Sequence, residues 1–162
     1  TGERLPKANL TARCRMVCLY YFANLLNRLV VGTSDRSELL IGYFTKYGDG
    51  GADILPLAHL YKTQVRQMAE QLGLPQSIAN KPSSPALWPG QKAEDEIPVG
   101  YEVLDLILYG LFDAKLPSEE VAAQLGISPS VVEEVVRRNK GTAHKRSHPL
   151  SMAPTATFLD QP

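Results

Sequence analysis

The chain has 162 residues, 44% of them hydrophobic, and its 17 basic side chains are balanced by 17 acidic ones. That length supports one domain with a core of its own, while the charge balance removes any global electrostatic case for nucleic acid or an anionic membrane surface. No apolar run approaches the ~20 residues of a membrane span and no secretory leader opens the sequence, so a cytoplasmic protein is expected.

Residues 1–8, with Gly2 and Pro6, are expected to form a mobile lead-in. A helix is predicted over 9–28, where Ala12, Met16, Leu19, Ala23 and Leu26 form a stripe at spacings of three and four. Its opposite side carries Val17, Tyr20, Tyr21 and Leu25. A helix apolar nearly all round needs cover on more than one side, which predicts a core face and a homodimer contact. Cys14 and Cys18 on the same helix are read as buried, reduced thiols. Arg13 and Arg15 lie near its start, where the helix dipole disfavours positive charge, and so point to a partner outside the helix. Because a helical pattern follows almost directly on Thr1, the chain reads as the back part of something longer.

The apolar run 29–33 ends in Gly32-Thr33-Ser34 and predicts a parallel strand buried on both faces. Ligands of open α/β sheets collect beyond the carboxyl ends of such strands, which places Thr33 well. Asp35 and Glu38 have capping-box spacing for a helix over 37–44, so Glu38 is open to either a capping or a ligand role. Gly48, Gly50 and Gly51 then offer positive φ and close approach to a ligand. Flanking Lys46, Asp49 and Asp53 favour a polar binding loop over a plain turn. Residues 54–57 predict a second strand, irregular or at an edge because of Pro56. A helix follows over 58–72, stopped by Gly73 and Pro75. Lys62 and Arg66 repel one another on its surface by roughly a few tenths of a kcal/mol. Glu70 relieves Arg66 but not Lys62, so either an anion or plain solvent faces Lys62.

Residues 80–100 carry four prolines and an acidic run and predict a long lid-like connection. Helices are expected over 101–112, 118–125 and 129–140, the last capped by Ser128. The last two imitate a helix-turn-helix, but Glu133 and Glu134 stand where a DNA-reading helix needs donors, which excludes nucleic acid. A basic stretch follows Gly141, then a loose tail from Pro149.

The strings GYFTKYGDGGAD, PLAHLYKTQVR, KPSSPALWPGQ and a late HKR, in that order, resemble the ammonia-dependent NAD synthetases, members of the nucleotide α-hydrolase-like ATP pyrophosphatases. The resemblance covers about residues 9–154. It implies an α/β, Rossmann-like parallel sheet flanked by helices, here incomplete, with a helical C-terminal part. Residues 1–162 are then a fragment of one domain: 9–79 the α/β nucleotide-binding part, 80–100 the lid, 101–148 the helical part and 149–162 the tail. The implied reaction is amidation of deamido-NAD by ammonia, driven by ATP with Mg²⁺ through an acyl adenylate. By motif, Arg13, Lys46, Asp53, His144 and Lys145 resemble deamido-NAD contacts. Thr33, Lys62 and Ser84 resemble ATP contacts, and Glu38 the Mg²⁺ ligand. Asp35 replaces an asparagine of the usual TxNxSE pattern, Ser84 a threonine, Ala8 a glycine and Ala93 an aspartate. The SGGxDS phosphate loop of the family lies upstream of the Arg13 position. The 162 residues alone are therefore expected not to catalyse the reaction. The alternatives are a non-catalytic module, either split or degraded, that binds a dinucleotide or a partner chain, and the synthetase domain of a glutamine-fed fusion.

Overall fold

Pro6 does not delay the first helix. Helix α1 spans Arg4–Leu26, so Pro6 lies in its first turn, where a missing N–H breaks no intrahelical bond. The structure, a computed structural model, describes residues 2–149. The lead-in expected over 1–8 is thus largely helix, and α1 ends at Asn27, whose φ of 51° is left-handed. Of the predicted stripe, Ala12 and Ala23 are buried while Leu19 and Leu26 are 57% and 61% exposed. Cys14 and Cys18 are exposed free thiols, not buried ones, because the face that carries them has no covering layer among the described residues.

The sheet reduces, among the described residues, to one parallel bridge between Val31 and Ile54. The Gly32 amide donates to the Ile54 carbonyl at 2.9 Å, and the Asp53 amide to the Val30 carbonyl at 2.9 Å. Val30 is buried, yet Leu29 and Val31 are 64% and 58% exposed. The expectation of a strand covered on both faces is not met here. Such cover comes from helical layers on each side of a parallel sheet, and this segment has α1 and its own loop.

Helix α2 is Arg36–Ile41, shorter than predicted. It stops at Gly42, whose φ is 67° and whose added Cβ would lie 2.3 Å from the Thr142 side chain. Only glycine satisfies both the left-handed turn and that contact. Residues 58–60 form turns rather than helix, with Leu60 N donating to Leu57 O at 2.9 Å. Helix α3 is Lys62–Gln71 and the short α4 is Gln76–Ala79. The predicted connection 80–100 has more order than expected. It holds a 3₁₀ turn at Ala93–Asp95, and Ala93 N donates to Ser83 O at 2.8 Å.

The core sits in the helical part. Helix α5 (Tyr101–Leu108) widens into a π-helical turn at Tyr109–Asp113. Helices α6 (Ser118–Leu125) and α7 (Pro129–Gly141) follow almost as predicted. Ser128 precedes α7 but does not cap it with its side chain; its hydroxyl pairs instead with that of Ser130 at 2.8 Å. Tyr101, Leu104, Ile107 and Leu108 of α5 pack with Ile41, Val121, Val132 and Val135, all essentially inaccessible to solvent. A short helix not predicted, α8 (Ala143–Arg146), closes the described chain. Its Arg146 donates to the Leu39 and Leu40 carbonyls at 3.1 Å, placing a cation on the carbonyls at the end of α2 beside the Gly42 amide and Asn139. The tail from Pro149 falls, beyond that residue, outside the described residues.

Candidate ligand site

The capping box at the start of α2 is real, and it leaves half of each carboxylate for other work. Asp35 Oδ1 accepts from the Glu38 amide at 2.9 Å, and Glu38 Oε2 accepts from the Asp35 amide at 3.3 Å. The remaining oxygens, Asp35 Oδ2 and Glu38 Oε1, lie 2.6 and 2.8 Å from Lys62 Nζ at the head of α3. Capping and ligand roles for Glu38 are therefore compatible, carried by different oxygens. Lys62, which the sequence left without a partner, is held between two acids, and its ammonium lies over the Tyr101 ring at 5.4 Å. Arg66 turns not to Glu70 but to Glu102 at 2.9 Å and Glu94 at 3.6 Å.

The electrostatics follow from burial. Asp35 is 1% exposed. Burial and then the Asp35 charge push the Glu38 carboxyl up, against the pull of Lys62. Burial alone would lower the Lys62 ammonium, but Glu38 and Asp35 outweigh it and the net direction is up.

Thr33, Glu38, Lys62 and Ser84 line one cavity of about 660 Å³. These residues come from the end of the first extended segment, α2, α3 and the 80–100 loop. Arg15, Lys81 and Ser34 also face it. The cations and hydroxyls around the cavity suit an anionic, phosphate-bearing ligand. Arg15 finds the partner its position called for: its guanidinium donates to the Pro85 and Ala86 carbonyls at 3.4 and 3.3 Å, tying the loop that carries Ser84 to α1. Ser84 Oγ itself accepts from the Ala86 amide at 3.1 Å.

The other five candidates do not line this cavity. Arg13 Nε donates to the Lys46 carbonyl at 3.2 Å, and Lys46 Nζ donates to the His144 carbonyl, so these three form a chain from α1 to α8. Lys145 Nζ donates to the Gly42 and Phe44 carbonyls at 2.7 Å each, and its burial lowers its pKa. Asp53 accepts from the Tyr20 hydroxyl at 3.0 Å and the Val30 amide at 2.8 Å, bracing α1 against the extended segment. The glycine loop does reach the cavity, through Gly48, Asp49 and Gly51, but its dihedrals differ from expectation. Its positive φ belongs to Tyr47 at 61°, not to Gly48, Gly50 or Gly51. A Cβ at those glycines would meet Ala12, Phe44 or Met16 within about 3 Å, so they serve close packing of the loop on α1 and on its own aromatic.

A family model described as NAD synthase matches residues 1–149. An NH(3)-dependent NAD(+) synthetase from Staphylothermus marinus is 57% identical over 90% of this chain and 53% of the relative. The chain spans about half the length of the curated relatives it matches. Among solved structures, an NMN synthetase from Francisella tularensis aligns with a TM-score of 0.77 and 37% identity over 92% of this chain and 57% of that one. An NH3-dependent NAD synthetase from Campylobacter jejuni, in complex with nitrate, aligns with a TM-score of 0.69 and 28% identity over 90% and 54%.

Proposed function

We propose, from the premise that this chain belongs to the NAD synthase family, that the protein carrying it amidates deamido-NAD with ammonia at the expense of ATP. The observation that carries this reading is the shared cavity of Thr33, Glu38, Lys62 and Ser84, drawn from three separate stretches of sequence, whose side chains suit a polyphosphate. In this reading the nicotinate carboxylate attacks the α-phosphorus of ATP, pyrophosphate departs, and ammonia then displaces AMP from the acyl adenylate to leave the amide. The chain's contribution is placement and charge. Lys62 and Ser84 hold phosphate oxygens, Thr33 fixes the nucleotide at the end of the extended segment, and Arg13, Lys46, Asp53, His144 and Lys145 frame the dinucleotide. An incoming phosphate competes with Asp35 and Glu38 for the Lys62 ammonium.

Magnesium fits the donors at the head of α2. Glu38 Oε1 and Asp35 Oδ2 are hard oxygen donors already gathered around one cation, the Lys62 ammonium. Glu38 would hold the metal, which when bound supplies charge neutralisation on the phosphates. The parallel sheet of an adenine-nucleotide α-hydrolase-like fold belongs to the same proposal, with the Val31–Ile54 bridge as its local trace. So does a homodimer using α1, whose Val17, Phe22 and Leu25 are each more than half exposed. No helix among the described residues is long and apolar enough to cross a membrane, and we place the reaction in the cytoplasm.

The test is pyrophosphate release by the complete native protein with ATP, Mg²⁺ and either deamido-NAD or nicotinate mononucleotide, with ammonia or glutamine as nitrogen source. Release with deamido-NAD and amide formation with ammonia are expected. Glu38→Gln is expected to lower release about 100-fold or more while leaving the circular dichroism spectrum unchanged. Activity confined to the mononucleotide would replace deamido-NAD as the substrate and accord with the name of the Francisella tularensis relative, an NMN synthetase. Near-normal activity of Glu38→Gln would return Glu38 to a cap alone. Sedimentation at rising concentration checks the dimer: a constant monomer mass with α1 protected from exchange would contradict it.

A further inference from the structure

Beneath the cavity lies a buried polar group that the reading above does not use. Helix α3 begins at Lys62, and its preceding residue, Tyr61, provides no side-chain cap. The first amides of a helix need acceptors from elsewhere. Here they come from two other helices. The Lys62 amide donates to Ser37 Oγ at 3.0 Å, and the Thr63 amide donates to Asp105 Oδ2 at 2.8 Å. Thr63 Oγ1 donates to the same oxygen at 2.8 Å, while Ser37 Oγ donates to Asp105 Oδ1 at 2.5 Å. Ser37 is wholly buried and Asp105 is 5% exposed. A carboxylate from α5 and a hydroxyl from α2 thus cap α3 from outside, in a position the helix dipole favours.

The network joins two ligand candidates through their backbones. Ser37 immediately precedes Glu38, and Lys62 is the residue whose amide Ser37 receives. The Glu38 and Lys62 side chains then meet 2.8 Å apart. We propose that Asp105, acting through Ser37 and Thr63, is a positioning residue that sets the relative placement of Glu38 and Lys62 at the ATP end of the cavity; this rests on the amidation reading above. A buried carboxylate that receives three donors and touches the heads of two ligand-bearing helices has little freedom. A displacement of about 1 Å in such supports is enough to cost up to ~100-fold in rate.

The experiment is a double-mutant cycle in the complete native protein, with Ser37→Ala, Lys62→Ala and both together, and with Asp105→Asn as a second probe of the network. Ser37→Ala is expected to raise KM for ATP by about tenfold while KM for the dinucleotide acid moves less than about threefold. In the Lys62→Ala background, Ser37→Ala is expected to add less than about twofold, since its effect passes through Lys62. An unchanged KM for ATP, or a full multiplicative effect in that background, overturns the inference. Thr63→Val keeps the shape and the backbone bond, so it serves if Ser37→Ala fails to fold. A rise of about two- to threefold confined to ATP supports the inference, and no rise overturns it. A crystal structure of Ser37→Ala or Thr63→Val reads the same point without turnover. Loss of the Lys62–Glu38 contact supports positioning, and its retention at 2.8 Å overturns it. A wild type that shows no ATP- and ammonia-dependent product sinks the amidation reading itself, and the crystal structure still decides the geometry.

Discussion

Tyr101 and Leu25 are both large apolar side chains on helices, yet Tyr101 is fully buried and Leu25 is 65% exposed. The two stand for two halves of the molecule. Around α5, the side chains of α2, α6 and α7 close a core whose members come from within this chain. Along α1, Ala8, Ala12 and Ala23 are buried, while Leu10, Val17, Leu19, Phe22 and Leu25 are each more than half exposed. Helix α1 is attached by small residues and by hydrogen bonds, notably Tyr20 to Asp53 and Arg15 to the 80–100 loop. The helical part is a finished core, whereas α1 presents half of one. Large exposed apolar patches are where soluble proteins commonly meet another surface. The candidate site lies where the two regimes meet, with Glu38 and Lys62 braced from the closed side and Arg15 and Thr33 supplied from the open side.

The sharpest way to break this contrast is to truncate one side chain from each half. Leu104→Ala is expected to cost about 3 kcal/mol in denaturant unfolding of the 162-residue chain, through lost burial and an unfilled cavity. Leu25→Ala in the same chain is expected to change stability by less than about 0.5 kcal/mol. Equal costs would end the distinction. A cost for Leu25→Ala that grows with protein concentration would sharpen it, by tying the exposed face of α1 to self-association.

Gly42→Ala should fall between those two, at roughly 1–3 kcal/mol, because alanine is strained at positive φ and its methyl meets Thr142. Its measured loss should be accompanied by weaker exchange protection of α8. A loss without that change would detach α8 from the closed half.

The smallest effect concerns Asp113 at the end of the π-helical turn after α5, paired with Arg36 at 2.7 Å and accepting the Tyr61 hydroxyl. The Tyr61 hydrogen bond, and then Arg36 working against partial burial, hold its carboxyl below the usual value. Burial and the Asp113 contact push the Tyr61 hydroxyl up to about 12. A depressed carboxylate stabilises the fold above its unfolded pKa of 3.8 and loses that contribution as pH falls through the lower folded value. Asp113→Asn should therefore lower stability at neutral pH by a small amount, as a partly exposed pair warrants, and flatten the acid limb below pH ~4, where the variant and wild type converge. An acid limb identical to wild type would remove Asp113 from the linkage.

The residues 118–125 and 129–140 were legible as helices because their signals are local: Pro117 and Pro129 at the starts, Gly126 at a left-handed stop, and apolar spacing between. The family's motifs also carried the cavity residues, Thr33 and Glu38 in the TxNxSE-like stretch and Lys62 and Ser84 in the later strings, since motif order is a property of the chain alone. What needed the tertiary structure was every question about which group faces which. Lys62 sits between Asp35 and Glu38, and Asp105 caps a helix whose start lies more than forty residues earlier. Cys14 and Cys18 lie on a bare face, and the tight glycines of the 48–51 loop pack on α1 and Phe44 while Gly48 and Gly51 also line the cavity. Periodicity and caps act over a turn or two of chain, so they report which residues form a helix. Burial, pairing and positioning depend on surfaces brought together from distant segments, and only the folded arrangement decides them.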